Sequence, residues 1–163
     1  MTILGVDPGT ATTGYGVVKS SRGNAFECVS YGCITTAKDK KSGDRLVSLE
    51  KELLQVLNKH RPDAVVVERL YFFKNLKSVM PVSEARGVIL LAIAKKKLPV
   101  FELTPLQVKM AIPGYGRADK RQMQRMVQLT LKLKEIPKPD DTADAIAIAL
   151  THVFSYKMKR VIV

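Results

Sequence analysis

Four acids in this chain have the type, spacing and setting for metal or phosphate chemistry: Asp7, Glu68, Asp141 and Asp144. Asp7 closes the apolar run TILGVD and is followed at once by Pro8-Gly9-Thr10, and Glu68 closes the unbroken run DAVVVE. Asp141 and Asp144 lie three residues apart at the start of an Ala-rich stretch, a spacing that puts both on one face of a helix. If the two apolar runs are neighbouring parallel strands, about 4.8 Å apart, Asp7 and Glu68 face each other across one strand spacing. A helix packed over that edge then brings four carboxylates together. Like charges gathered in one place raise each other's pKa, and the arrangement becomes favourable around hard divalent cations, which take oxygen ligands. Two Mg²⁺ or Mn²⁺ ions about 4 Å apart activate water and stabilise the leaving oxygen of a phosphodiester. Each acid also has a simpler role open to it. Asp7 suits a turn, Glu68 can pair with Arg69, Asp141 suits the first turn of a helix, and Asp144 a helix surface. Asp140 shares a helical face with Asp144 as well, so spacing leaves open which of Asp140 and Asp141 belongs to the set.

The charge balance bears on what such a site would act on. Lys and Arg number 27 against 15 Asp and Glu, a net charge of +12, which favours a polyanionic partner such as DNA, RNA or an acidic membrane. Between Arg69 and Arg125 stand 12 Lys/Arg and 3 Asp/Glu, so most of the excess occupies about a third of the chain. With 163 residues, 46% hydrophobic and 26% charged, the chain suits one soluble globular domain that buries roughly 70% of its unfolded surface. No apolar run reaches the roughly 18 residues of a membrane span, and the longest, GVILLAIA, stops at Lys95. The N-terminus lacks the basic-then-apolar pattern of a secretion signal. Cys28 and Cys33 have the spacing of half a metal site, but no second Cys or His pair completes it. They read as small, partly buried apolar residues of a protein kept in the reducing cytoplasm.

The acids need elements to hold them. TILGVD reads as a buried strand over 2–7, GYGVVKS as a second strand and AFECVSYGCITT as a third, with connections short enough for antiparallel hairpins. The period then changes: Leu46, Leu49, Leu53, Val56 and Leu57 mark an amphipathic helix from about 43 to 60, which Pro62 stops. DAVVVE, at 63–68 and after a helix, reads as a parallel partner of the first strand through a right-handed crossover. The C-terminal edge of such strands is where sites form. RLYFFKNLK reads as a loop, 79–97 as a helix, PVFEL as a fifth strand, 105–111 as a helix and IPGYGRA as a Gly/Pro loop. DKRQMQRMVQLTLKL is a helix with Asp119 as its N-cap, KEIPKPDD a linker, and DTADAIAIALTHVFSY the last helix before a short basic tail. The order βββαβαβαα(α), with no repeat or low-complexity tract, is that of a mixed α/β domain.

GVDPGTATTGYGVV, VVVERLYFFKN, ARGV, PVFELTPLQVK and DDTADAIAIALTH stand in order and at compatible spacing from Met1 to about Tyr156. Together they resemble the RuvC family of Holliday-junction resolvases, in the ribonuclease H-like superfamily. The resemblance implies a ribonuclease H-like fold, a mixed five-stranded sheet with helices on both faces. It implies a single nuclease domain over 1–157, with 158–163 a short basic C-terminal tail. The family's D-x-x-D-A-[IL]-A element falls on Asp141 and Asp144, which selects Asp141 over Asp140. The family's other acids fall on Asp7 and Glu68, and its catalytic lysines on Lys109 in LQVK and Lys120 in ADK. The implied activity is metal-dependent resolution of a four-way DNA junction by a homodimer, with Mg²⁺ bound at the four acids and Mn²⁺ substituting. Two strands of like polarity are nicked symmetrically, leaving 5′-phosphate and 3′-hydroxyl ends, in recombination and DNA repair. A branch-migration motor complex is a further partner to expect. The family's dimer contact is similar to the segment from about 79 to 96, where VILLAIA supplies an apolar face equally suited to the core.

Other residues take their expected roles from this frame. Tyr71 matches the family's aromatic that stacks on bases near the crossover, and Phe72 and Phe73 adjoin it. Stacking tolerates many sequences and stabilises each base by about 1–3 kcal/mol, and one or two of the three aromatics are expected in the core instead. Lys109 and Lys120 suit neutralisation of transition-state charge on phosphate. Lys74, Lys77, Arg117 and Arg121 suit backbone contacts that position DNA without reading it. The IPGYGRA loop would settle on the substrate, and Gly14 and Gly16 would leave room for a DNA backbone. His60, at a helix end where positive charge is favoured, reads as structural. So does His152, about 16 Å along the last helix from Asp141. Three rival functions remain. GVDPGT resembles the phosphate loop of actin-like ATPases and sugar kinases, which need a second core and a second loop that this chain lacks room for. A related ribonuclease H-like nuclease on other DNA or RNA would share the acids but not the aromatic loop and the two lysines. A junction-binding protein without catalysis would have no need of the full acid set.

Overall fold

Alternation along two short apolar strands decides which way their terminal acids point. A computed structural model describes residues 1–9, 11–21, 25–69 and 76–161, without the side chains of 76–78 and 157–161. Among the described residues, β1 (Thr2–Asp7), β2 (Thr12–Ser20), β3 (Phe26–Thr35), β4 (Ala64–Glu68) and β5 (Val100–Leu103) form one sheet in the order β3-β2-β1-β4-β5. The first three strands pair antiparallel, while β1–β4 and β4–β5 are parallel. The strand after the first helix is therefore the parallel neighbour of β1, as the sequence predicts.

Residues of opposite parity face opposite layers. On one face Leu4, Val6, Val65 and Val67 pack with α1 (Ser42–His60) and α2 (Leu76–Lys95). On the other, Ile3, Ala64 and Val66 pack with α5 (Asp140–Val161), against which α3 (Pro105–Ala111) and α4 (Lys120–Leu131) lie. Fully burying each Val, Leu or Ile of these layers is worth about 1.5–3 kcal/mol, so the face each strand residue takes is strongly specified. No helix among the described residues is long and apolar enough to cross a membrane.

Capping chemistry sets several boundaries. Asp119 is the N-cap of α4 as predicted: its carboxylate accepts from the Gln122 N–H and the Gln122 side chain accepts from the Asp119 N–H. Thr104 and Gln107 do the same for α3, with Pro105 at its first position. Helix α1 ends at His60, its cap Arg61 left-handed at φ 44°, and Pro62 comes next. Two expectations shift. Helix α2 begins at Leu76 and ends at Lys95, with Lys96 and Lys97 in the turn beyond. Helix α5 runs on to Val161, so residues 158–161, read as a tail, are its last turn.

Three glycines seat α5 on the sheet. A Cβ on Gly5 would stand 2.1 Å from the Ala145 carbonyl oxygen, one on Gly14 2.0 Å from that of Asp141, and one on Gly16 2.7 Å from the Ile146 side chain. No real Cβ tolerates such distances, so backbone of α5 occupies the space that side chains would take. This corrects the expectation that Gly14 and Gly16 make room for DNA: the room is filled by the protein's own last helix.

Candidate active site

Val6 pairs with Val67 in the β1–β4 register, so the next residues, Asp7 and Glu68, stand level at adjacent strand ends. Parity sends both to the α5 face, because Ile3 and Gly5 precede Asp7 there and Ala64 and Val66 precede Glu68. On its other side Asp7 pairs with Gly14 of β2. Since the Asp141 backbone rests on Gly14, the first turn of α5 lies beside Asp7, and Asp144 comes next on the same helical face. The turn after Asp7 is tight: Thr13 Oγ1 donates to the Gly9 carbonyl at 3.1 Å, and a Cβ on Gly9 would meet the Thr12 carbonyl oxygen.

The outcome is a carboxylate cluster. Ligand oxygens of Asp7, Asp141 and Asp144 all lie within 4.8 Å of one another, the one such metal-ligating group among the described residues. Glu68 stands outside that close triple but within its field. Burial first, and then Glu68, Asp144 and Asp141, hold the Asp7 carboxyl well above the usual carboxylate range. Burial and Asp144 push Glu68 up to about 7, against the pull of Lys109 and Lys120. Asp144 is raised too, first by burial, with Lys120 the leading influence in the other direction. Two full negative charges about 5 Å apart repel by roughly 3 kcal/mol at an effective dielectric near 20. Such a cluster suits a hard divalent cation, whose charge turns that repulsion into ligation.

Both predicted lysines reach this field. Lys109 sits half-buried on α3, and Lys120 is the exposed first residue of α4. Asp140 turns the other way: Gln124 Nε2 donates to it at 2.6 Å, and Lys120 Nζ is 4.0 Å away. The choice that helical spacing left open is thus resolved in geometry, with Asp141 facing Asp7 and Asp140 facing α4. The alternative partner for Glu68 is also engaged elsewhere, since Arg69 Nε donates to Glu102 at 3.2 Å.

Among the expected DNA contacts, Arg117 and Arg121 are exposed. Arg121 shares a groove with Lys120, Gln124, Lys138 and Asp141 that opens toward the acids. Tyr71, Phe72, Phe73 and Lys74 lie outside the described residues, as does the side chain of Lys77. Neither cysteine joins the metal-ligating group. Cys33 instead sits 3.1 Å from Thr142 Oγ1, tying β3 to the first turn of α5, a contact that no spacing rule announces. His60 stands in the last turn of α1 with Lys59, and burial, then Lys59, lowers its pKa. His152 packs on Phe101 with ring centroids 4.4 Å apart.

Comparison with known proteins agrees with this geometry. A sequence model of the family described as crossover junction endodeoxyribonuclease RuvC matches residues 3–152. The chain is similar to the protein of that name from Ruminiclostridium cellulolyticum, 52% identical over 158 residues that cover 97% of this chain and 95% of the relative. The one from Caldicellulosiruptor saccharolyticus is 49% identical over 155 residues, covering 95% and 93%. Among solved structures, Thermus thermophilus RuvC in complex with Holliday junction substrate superposes with a TM-score of 0.91 at 35% identity, covering 98% of this chain and 96% of that one.

Proposed function

The chain belongs to the RuvC family of crossover junction endodeoxyribonucleases, and from that premise we propose that it resolves four-way (Holliday) DNA junctions at the acid cluster. The observation that carries the reading is the close triple of Asp7, Asp141 and Asp144, with Glu68 in its field and Lys109 and Lys120 beside it. Asp7, Glu68, Asp141 and Asp144 are the residues to hold divalent metal, two Mg²⁺ per site with Mn²⁺ as a substitute. The metal would supply a water of lowered pKa and stabilise the leaving oxygen. The chain's own part is positioning and charge. Asp7 and the α5 acids are fixed by rigid backbone, so little reorganisation is needed as ligands. Lys120 and Lys109 are placed to neutralise charge that develops on the phosphate. Arg117 and Arg121, with Lys74 and Lys77, would hold the DNA backbone. Tyr71, Phe72 and Phe73 would stack on bases opened at the crossover.

A homodimer is part of the proposal. Met80 and Leu91 are exposed on α2, with open space over Gly87 between them, while Ile89, Ala92 and Ile93 of the same helix are in the core. An apolar outer face of this kind suits a two-fold partner, and two-fold symmetry matches paired nicks in strands of like polarity. Cleavage would leave 5′-phosphate and 3′-hydroxyl ends, in recombination and repair in the cytoplasm, on junctions delivered by a branch-migration motor. The test is cleavage of end-labelled synthetic junctions with each divalent metal. Paired nicks in the junction and an intact linear duplex are expected. Equal cutting of both would point to a general nuclease, and no cutting with any divalent metal would refute the reading.

A further inference from the structure

Three of the four acids are held by rigid neighbours: Asp7 by the central strand and its tight turn, Asp141 and Asp144 by a helix whose Ala145, Ile146 and Ala149 are fully buried. Among the described residues no side-chain hydrogen bond or ion pair holds Glu68 on its own side. It is the last residue of a five-residue strand, flanked outside by the four-residue edge strand β5. The next residue, Arg69, is held from the opposite face of the sheet. Its N–H donates to the Leu103 carbonyl at 2.8 Å, extending the β4–β5 ladder by one residue. Alternation then turns the Arg69 side chain toward α2, away from the acids. There Arg69 Nε donates to one oxygen of Glu102 at 3.2 Å, and Arg86 of α2 donates to the other. Glu102 lies on this side because it pairs with Val67 in the β4–β5 register.

The two arginines are unequal. The Arg86 side chain is 22% exposed, and its Nε is buried with no hydrogen-bond partner among the described residues, so its charge leans on Glu102. Arg86 adjoins Ala85, which is in the core, so the Arg86–Glu102 pair is anchored to packed structure. Arg69, 59% exposed, is the arm by which that anchor grips the strand exit.

We propose that Arg86, Glu102 and Arg69 form a clamp that positions Glu68 at the acid cluster from the far side of the sheet. Arg69, Glu102 and Arg86 are positioning residues: none touches the acids. Without the clamp the close triple stays intact while the end of β4 gains freedom, and Glu68 is withdrawn from a share in ligation. The inference rests on Glu68 being a metal ligand, as proposed above.

The test uses the full chain, with Mn²⁺ titrated calorimetrically and junction cleavage measured against Mg²⁺. Arg69→Gln and Glu102→Gln should each weaken Mn²⁺ binding by about 10-fold, the size typical of supports behind a ligand. The Mg²⁺ needed for half-maximal cleavage should rise in step, while metal-free junction binding stays unchanged. In a Glu68→Ala background, Arg69→Gln should have no further effect on Mn²⁺ affinity. Should Glu102→Gln fail to fold because Arg86 loses its counter-charge, Arg69→Gln decides alone, since its side chain is largely exposed. Unaltered Mn²⁺ affinity in Arg69→Gln, or an equal loss with and without Glu68, overturns the clamp and leaves the metal site standing. A wild-type protein that neither binds Mn²⁺ nor cuts would refute the metal-site reading itself, and the clamp with it.

Discussion

Glu68→Gln should make the metal-free protein more stable at pH 8 and no more stable at pH 4. The Glu68 carboxyl is pushed up from 4.5 to about 7, first by burial and then by Asp144. Between those values the folded protein keeps a proton that the unfolded chain has released, so raising the pH through this window favours unfolding. Below about 4.5 both states are protonated and the cost vanishes; above about 7 it is fully expressed. At 1.36 kcal/mol per pKa unit the charged Glu68 costs about 3 kcal/mol, a sizeable part of the roughly 5–15 kcal/mol that holds a domain folded. Gln keeps the shape and removes the charge, and it also removes the leading electrostatic cause of the raised Asp7 pKa. Urea unfolding in EDTA across pH 4–8.5 measures the difference. Adding Mg²⁺ should reverse the order, because a ligand of the folded state stabilises it by mass action and the variant binds that ligand less well. Equal or lower stability of the variant at pH 8, or a gain that persists undiminished at pH 4, would refute the reasoning.

The same geometry makes further outcomes testable. Asp7→Asn should bind a four-way junction as the wild type does in gel shifts yet cleave it at least about a hundredfold more slowly; parallel loss of binding would make Asp7 structural. Gly14→Ala should unseat the first turn of α5 from β2 and lower both stability and cleavage, since its Cβ would stand 2.0 Å from the Asp141 carbonyl oxygen. Asp119→Ala should cost about 1 kcal/mol through loss of its cap, whereas Lys120→Ala next to it leaves that cap in place and should slow cleavage by removing a counter-charge of the acids.

The strands and most helix ends were readable because their signals are local. An apolar run stopped by Pro8-Gly9, a capping pair at Asp119 and Gln122, and the Leu49–Leu53–Leu57 stripe each carry their own stop or face. Asp7 and Glu68 could be set level from the same reasoning, since a crossover helix between two apolar strands implies parallel neighbours. Less readable were features that depend on which surface meets which. Spacing put Asp144 on a face with Asp140 as easily as with Asp141; the family motif chose Asp141, and the packing of α5 on β2 supplies the physical reason. The grip of Glu102 on Arg69 and Arg86 joins residues far apart in sequence across an edge strand, and no periodicity marks it.

The glycines show how much of that missing information was nonetheless present. Gly5, Gly14 and Gly16 lie at alternating or near-alternating strand positions on one face, and the last helix opens DTADAIAIA, rich in alanine. A strand face without side chains and a helix with small ones are complementary: together they let backbones approach more closely than a face of larger side chains allows. Ala145 and Ala149 meet Gly5 as the Asp141 backbone meets Gly14. Because Gly14 is also the register partner of Asp7, the seam that buries α5 and the placement of Asp141 beside Asp7 are one constraint. A bulkier residue at Gly14 would change packing and ligand geometry together, so no substitution there can separate the stability of this fold from the assembly of its acids.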